Sequence, residues 1–376
     1  MEEKDSYRLF SRKLLFCIMI SLVSIILVLS SVQNASGRYV FDFKWGTTGS
    51  AEGEFDGPQG IAIDSRGNVY IADSSNDRIQ KFKHDSTFIR AWGTTGSGDG
   101  EFSAPVDVAV DSSGNVYVVD FANHRIQKFT STGTFLRSWG TDGPGDGQFE
   151  NMAGVAIDSS GNVYVSDAPR GKDRIQKFTT TGTFITKWGT EGTGDGQFRG
   201  PQGLAVDQSG NVYVTDQQNH RIQRFQLSNP CPTGTSQIEP GVCFVTKWGS
   251  FGSGAGQFNA SVGLGLDSSG NVYVTDQQNH RIQMFRPDGT FVRGLGSFGL
   301  DNGQLRFPLD VAVYSPGIIF RDELVYVSDS HNDRIQVFFW EPDVHSGDGA
   351  LENATQTNGT TKHNQNVSSN PQYEQK

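Results

Sequence analysis

The sequence predicts an all-β fold assembled from six repeated four-stranded units, and three observations carry that prediction. Tryptophans stand at positions 45, 92, 139, 188 and 248 with Leu295 in the sixth place, giving spacings of 47, 47, 49, 60 and 47. A recurring period of this length marks a repeat architecture. Each period holds four short runs of β-branched and aromatic residues, the types that strands favour. The 46 Gly and 13 Pro interrupt these runs at close intervals, which argues against a helix-rich enzyme.

In the first unit the runs are Gly60–Asp64, Asn68–Asp73, Arg78–Phe82 and Thr87–Trp92, labelled strands a to d. Turns such as Ser65-Arg66-Gly67 and the stretch 93–100 supply positive φ angles between them. The spacing of 49 reflects two extra residues near Arg170–Lys172. The spacing of 60 reflects a thirteen-residue insertion that contains Cys231 and Cys243.

The segment Gly210–Phe225 (GNVYVTDQQNHRIQRF) and its five counterparts resemble the NHL repeat. So do the lead-ins that begin at Pro58 and Pro201. The resemblance extends from about Tyr39 to Phe339 and implies a β-propeller with one repeat per blade. Period by itself would also suit a WD-type propeller. The Asp-x-x-Asn-x-Arg-Ile-Gln pattern selects the NHL type. Six a-b-c triplets are present, yet no sixth strand d follows Val337-Phe338-Phe339. Tyr39–Trp45 matches Thr183–Trp188, so the N-terminal strand is expected to close the last blade. The expectation is a six-bladed propeller over residues 39–340, closed so that no sheet edge stays open.

Residues 14–32 form an uncharged apolar run directly after Arg8, Arg12 and Lys13. That length suits a transmembrane signal anchor crossing a hydrocarbon core of about 30 Å. The flanking cations place residues 1–13 in the cytoplasm and the propeller outside it. A signal peptide cleaved near Ala35-Ser36-Gly37 is the alternative, which would make the protein secreted. The run exceeds the usual signal-peptide core, which favours a retained membrane anchor. With Cys17 inside the run, Cys231 and Cys243 are the pair expected to form a disulfide in an oxidising compartment. Residues 341–376 are polar and expected to form a disordered tail. Asn34, Asn259, Asn353, Asn358 and Asn366 head sequons for glycosylation.

Six aspartates recur at the end of strand b: Asp73, Asp120, Asp167, Asp216, Asp276 and Asp329. Each precedes an arginine that opens strand c: Arg78, Arg125, Arg174, Arg221, Arg281 and Arg334. Six copies in six blades point to architecture, a charge-assisted bidentate tie across the b–c turn. His124, His220 and His280 invite a zinc reading, because three histidines form a catalytic zinc set. Peptide-amidating lyases, which the resemblance brings to mind as propellers of this type, hold metal with histidines. All three here occupy one repeat position, however, on a ring of radius roughly 10 Å, too wide to share one ion. The turns at Asp99, Asp146 and Asp195 lack the alternating carboxylates of a calcium loop. No phosphate loop, nucleophile elbow or His-Glu-x-x-His is present. The expectation is no metal and no cofactor.

Departures from the repeat say more about function. Gly60, Gly154, Gly203 and Gly263 share one position early in strand a, where blades two and six carry Asp107 and Asp310. Capping of a neighbouring backbone amide is the structural role open to these aspartates. The b–c loops carry the unusual residues Phe121, Arg170, Lys172 and His331. Alternating strand direction puts b–c and d–a loops on one face and a–b and c–d loops, with the insertion, on the other. The expected function is therefore a surface-displayed extracellular binding module that recognises a protein, peptide or glycan through the b–c/d–a face. The first alternative is a metal-dependent propeller enzyme of lyase or lactonase type. The second resembles tripartite-motif NHL proteins, which bind RNA or act in ubiquitin ligation. The net charge of −10, the expected export and the lack of RING cysteines count against it, and no nucleic-acid partner is expected.

Overall fold

The computed structural model describes residues 37–168, 171–315 and 323–342. The apolar run 14–32, Arg170, the tail from 343 onward and the sequons at Asn34, Asn353, Asn358 and Asn366 lie outside the described residues. Among the described residues no helix is long and apolar enough to cross a membrane.

Six antiparallel sheets form the blades. Blade one runs Pro58–Ile63 (a), Val69–Asp73 (b), Arg78–Phe82 (c) and Phe88–Trp92 (d), and the same order recurs in the others. Strand a of each blade packs against strand a of both neighbours, and blade six meets blade one. Strand b is buried over its whole length, because the adjoining blades cover both its faces. That position explains runs such as Val-Tyr-Val-Val-Asp, which have no polar alternation. Strand d lies outermost and remains partly exposed.

The apolar core is divided among the blade junctions. Each repeated tryptophan joins two blades. Trp92 meets Tyr70 of its own blade edge-on at 6.3 Å and Phe129 of the next blade at 6.1 Å. Leu295 stands in that place at the junction of blades five and six. There Tyr39 hydrogen-bonds Tyr273 at 2.8 Å and packs on Trp340 at 5.5 Å.

Blade six has the order d-c-b-a with the N-terminal strand as d, so the chain closes its own ring. The closing strand begins at Gly37, two residues before the expected boundary, and strand c of this blade runs to Pro342. An Arg38–Glu341 ion pair at 3.6 Å and the Tyr39–Trp340 contact accompany the lengthened pairing. The polar tail therefore starts after the strand, not at Glu341.

The insertion carries the Cys231–Cys243 disulfide. It also contributes a strand that the repeat does not foretell, Ser236–Glu239, paired with strand d of blade four. A Cβ on Gly196 would lie 2.5 Å from Cδ1 of Ile238, so this side chain packs on the d–a loop entering blade four. The insertion leaves from the c–d side, yet its strand follows the blade's outer edge to the other loop set.

Candidate functional site

The b–c turn and the d–a loop of each blade are joined by one buried polar cluster. In blade four, Asp216 Oδ1 accepts the Arg199 N–H at 2.7 Å, and Asn219 Nδ2 donates to it at 3.0 Å. Its Oδ2 accepts Arg221 Nε at 2.7 Å and Gln223 Nε2 at 3.1 Å. The remaining Arg221 nitrogens donate to the carbonyls of Thr193, Gly194 and Gln197 in the d–a loop. The expected bidentate pairing is thus replaced by a single Nε contact, because the fork is occupied by loop carbonyls that need donors. The other Asp–Arg pairs have the same contact, at 2.6 to 2.7 Å in blades one, two, five and six. In blade three, whose b–c loop is longer, Arg174 Nε and Nη2 both donate to one oxygen of Asp167. These twelve residues hold architecture.

The residue before the arginine holds successive blades together. Asp77 Oδ1 accepts the Ala104 N–H at 2.7 Å, Asp173 Oδ2 that of Gly200 at 2.7 Å, and Asp333 Oδ1 that of Gly57 at 2.9 Å. His220 Nδ1 and His280 Nδ1 do the same for Ala260 and Phe307, at 3.4 and 3.1 Å. His220 and His280 are therefore junction caps, each engaged with the d–a loop of the next blade, whereas His124 Nδ1 accepts no such N–H and lies 3.9 Å from Asp142. Three of the five capping residues are aspartates, and their shared role is not evident from residue identity. Asp146 and Asp195 pair with Lys187 and Lys247 of the outer strands, as turn residues rather than calcium ligands.

An axial cavity of about 470 Å³ is walled by the six strands a. At one end its lining includes Phe121, Gln217 and Gln277 from b–c loops, together with Gln59, Asn151 and Gln202. At the other end it stops at aliphatic strand residues such as Val110, Val206 and Val313. Asp107 and Asp310 stand in the wall between these ends.

Both aspartates bridge blades. Asp107 Oδ1 accepts the Val108 N–H at 2.8 Å, and its Oδ2 accepts that of Val155 in blade three at 2.7 Å. Asp310 Oδ2 accepts the Ile61 N–H of blade one at 2.9 Å. Glycine at the neighbouring position is required by closeness: a Cβ on Gly60 would lie 2.5 Å from the Asp107 Cα, and one on Gly263 equally near the Asp310 Cα. Between blades three and six hydroxyls make the link instead. Thr215 accepts from Gly203 N at 2.8 Å and donates to Val262 O at 2.7 Å, and Ser166 and Thr275 stand in matching places. Desolvation raises both carboxyls, and the charge of Asp310 pushes Asp107 further upward. Asp310 is pushed up to about 7 by burial, against the lowering effect of backbone N–H groups.

Of the six residues picked out as candidate ligand contacts, Asp107, Asp310 and Phe121 meet at the channel. Lys172 and His331 are exposed on the loops and do not line it, and His331 packs on Phe307 at 4.6 Å. Among the described residues no group of three or more His, Cys, Asp or Glu is arranged to hold a metal ion. Asn259 is half-buried in the d–a loop entering blade five.

The NHL repeat matches residues 55–82, 102–129 and 198–225. Each match runs from a buried d–a loop residue through strand c, leaving strand d between repeats. The chain is 32% identical over 92 residues to protein brain tumor of Drosophila melanogaster, covering 24% of this chain and 8% of that protein. It is 33% identical over 118 residues to the E3 ubiquitin-protein ligase TRIM32 of Homo sapiens, covering 28% and 17% respectively. The chain thus spans less than a fifth of either relative's length. Among solved structures, a streptogramin B lyase superposes with a TM-score of 0.52 at 14% identity, covering 81% of this chain and 98% of that one. A putative gluconolactonase does so at 0.54 and 14%, covering 81% and 94%. Likeness at that identity is likeness of fold. The chain is a six-bladed β-propeller that contains three identified NHL repeats.

Proposed function

We propose that this propeller is an interaction module displayed outside the cytoplasm, binding a protein, peptide or glycan at its b–c/d–a face. One observation carries the reading: among the described residues, the axial cavity is walled by loop side chains at that face alone. Phe121 offers an apolar contact, Gln217 and Gln277 offer amides, and the polar clusters beneath hold the loop backbones in place. Preformed concavity with few polar groups is the ordinary form of a recognition site. The names of the relatives and neighbours point to ubiquitin ligation and to lyase or lactonase chemistry, and both stay as alternatives. For the enzymatic one, Asp107 and Asp310 are the acid–base candidates, although each already serves a blade junction.

A photo-crosslinking residue placed at Gln277, and another at Ser268 on the opposite face, test this in the full chain on intact cells. Adducts with external partners are expected from Gln277 alone. Equal adducts from both positions would sink the choice of face, and labelling only after cell lysis would sink the display.

A further inference from the structure

The b–c/d–a face is chemically lopsided. The four d–a loops entering blades one to four (46–57, 93–104, 140–151 and 189–200) carry ten carboxylates against one cation, Arg199. The loop 249–260 entering blade five carries no charge, and 296–308 carries Asp301 and Arg306 alone. At one position in these loops Thr48, Thr95, Asp142 and Glu191 are followed by Phe251 and Phe298. Phe251 is 65% exposed, Phe298 63% and Leu300 67%, the three most exposed large apolar side chains among the described residues.

Their surroundings are aromatic. Phe251 lies 4.9 Å from the His220 ring, and Phe298 lies 4.8 Å from His280. Phe307 continues the series, 4.6 Å from His280 and 4.6 Å from His331. The imidazoles of His220 and His280 accept backbone N–H groups through Nδ1. Burial lowers the His280 pKa. The sector is thus apolar and nearly uncharged, and the acidic loop 46–57 flanks it on the blade-one side. Contiguous exposed apolar surface on a folded protein marks an interaction site.

Resting on the reading that this face is the binding surface, we infer that the sector centred on Phe251, Phe298 and Leu300 docks a basic polypeptide segment bearing apolar anchor side chains. Charge complementarity selects the occupant. A segment that extends from the sector onto the loop entering blade one meets Glu52, Glu54 and Asp56, where lysine and arginine are attracted and carboxylates repelled. Nearby Gln217 and Gln277 belong to the same b–c loops as His220 and His280, so the sector continues into the channel mouth.

Three fluorescent synthetic peptides test the inference on the full chain: one with Leu and Phe anchors flanked by Lys, one with the same anchors flanked by Glu, and one with Lys alone. The first should bind best, and more weakly as salt rises. The double variant Phe251→Thr/Phe298→Thr should lower its affinity about tenfold or more, as loss of central aromatic contacts does. Threonine already occupies positions 48 and 95, so the fold accommodates it, and an unchanged melting temperature checks that. Glu52→Lys/Asp56→Lys should weaken the first peptide and leave the third without gain. Equal binding of the Glu peptide, or wild-type affinity in the double threonine variant, overturns the inference. Self-association lost in that variant would assign the sector to a second copy, and RNA binding lost in it would assign it to nucleic acid; either result overturns the proposal. If Phe121→Ser abolishes peptide binding while the threonine variant does not, the face is right and the sector wrong. If no peptide binds while Gln277 crosslinks persist, only the present inference fails; if both are missing, the reading of the face fails with it.

Discussion

The two faces of the propeller are built on different principles. On the b–c/d–a face, the crossover loops are gripped by buried polar clusters, Asp-Asn-Arg-Gln in all blades but the third, and five of them are capped by a side chain from the preceding blade. On the opposite face, the a–b turns close on themselves: Asp64 Oδ1 accepts the N–H groups of Arg66 and Asn68, both at 2.9 Å. The c–d turns are tied to the preceding blade by long cations, as by Lys81 Nζ to Ser131 O at 3.0 Å and Arg90 Nη1 to Thr132 O at 2.6 Å. The first face thus has loops whose backbones are fixed from below, leaving their outermost side chains free to vary. Thr, Asp, Glu and Phe all occur at one such position. The repeated polar residues supply stiffness, and the exceptions are available for recognition.

The largest effect should follow from removing the strand that spans both faces in blade six. Deleting Tyr39–Trp45 removes the Tyr39–Tyr273 hydrogen bond and the Trp45 contacts with Phe82 and Tyr326. A single buried aromatic truncated to Ala costs about 3–5 kcal/mol, and several partly buried ones go here at once. The truncated protein should lose cooperative thermal unfolding, whereas deletion of 343–376 should leave the melt close to wild type. Matching melts for the two truncations would show that closure does not rest on this strand.

Next comes the contrast between the faces. Asp216→Ala leaves the buried Arg221 without its carboxylate, a loss of about 3–5 kcal/mol. Asp207→Ala removes four hydrogen bonds from a half-buried a–b turn, where water can replace them, and should cost about 1–2 kcal/mol. Denaturant titrations of both variants measure the gap. Equal losses would mean that the two faces are equally rigid and the comparison fails.

A smaller effect depends on pH. The Asp310 carboxyl is raised in the folded state, so the native protein binds a proton that the unfolded chain releases more readily. Its contribution is present below the usual carboxylate range and is lost as pH rises through about 7. Wild type should therefore lose stability relative to Asp310→Asn between pH 5 and pH 8. His280, with a lowered pKa, acts in the opposite sense in this window but equally in both proteins, so the difference reports the Asp310–Asp107 pair, whose mutual charge effect the substitution also removes. A constant difference across the window would remove the burial argument.

Much of this was legible in the chain. Six Asp–Arg pairs announced a structural tie, and the match of Tyr39–Trp45 to Thr183–Trp188 announced the closing strand. The capping position was hidden because Asp77, Asp173 and Asp333 alternate with histidines, two side chains that share only an acceptor. The hydroxyls of Ser166, Thr215 and Thr275 were hidden inside strands that read as apolar. Direction was hidden too. Whether a b–c loop residue faces the channel, as Phe121 does, or solvent, as Lys172 does, depends on a turn ending in the left-handed region at His124, where a longer loop stands in blade three. Phe251 and Phe298 break the repeat as plainly as Asp107, but they sit among glycines, where only the folded loop shows them projecting outward.

The smallest effect is expected from the disulfide. A bridge closing thirteen residues contributes about 3 kcal/mol if the loop gains freedom only when the whole protein unfolds. That condition is not met by the insertion. Its strand Ser236–Glu239 pairs with one neighbour only, strand d of blade four, and lies at the sheet's edge. Segments at such edges open locally at lower free energy than the core. Without the bridge, the loop can therefore fray while the propeller stays folded, and the freed entropy is gained before the melt rather than at it. Cys231→Ser/Cys243→Ser should move the melting temperature little, and amide exchange should quicken around residues 228–241. The contact of Ile238 with Gly196 sets the limit of this argument, because it joins the insertion to the stiff loop entering blade four. If exchange also quickens at 194–197, that contact carries the fraying into the b–c/d–a face; if it quickens in blades one and two, the insertion belongs to the cooperative core and the division between the faces is wrong.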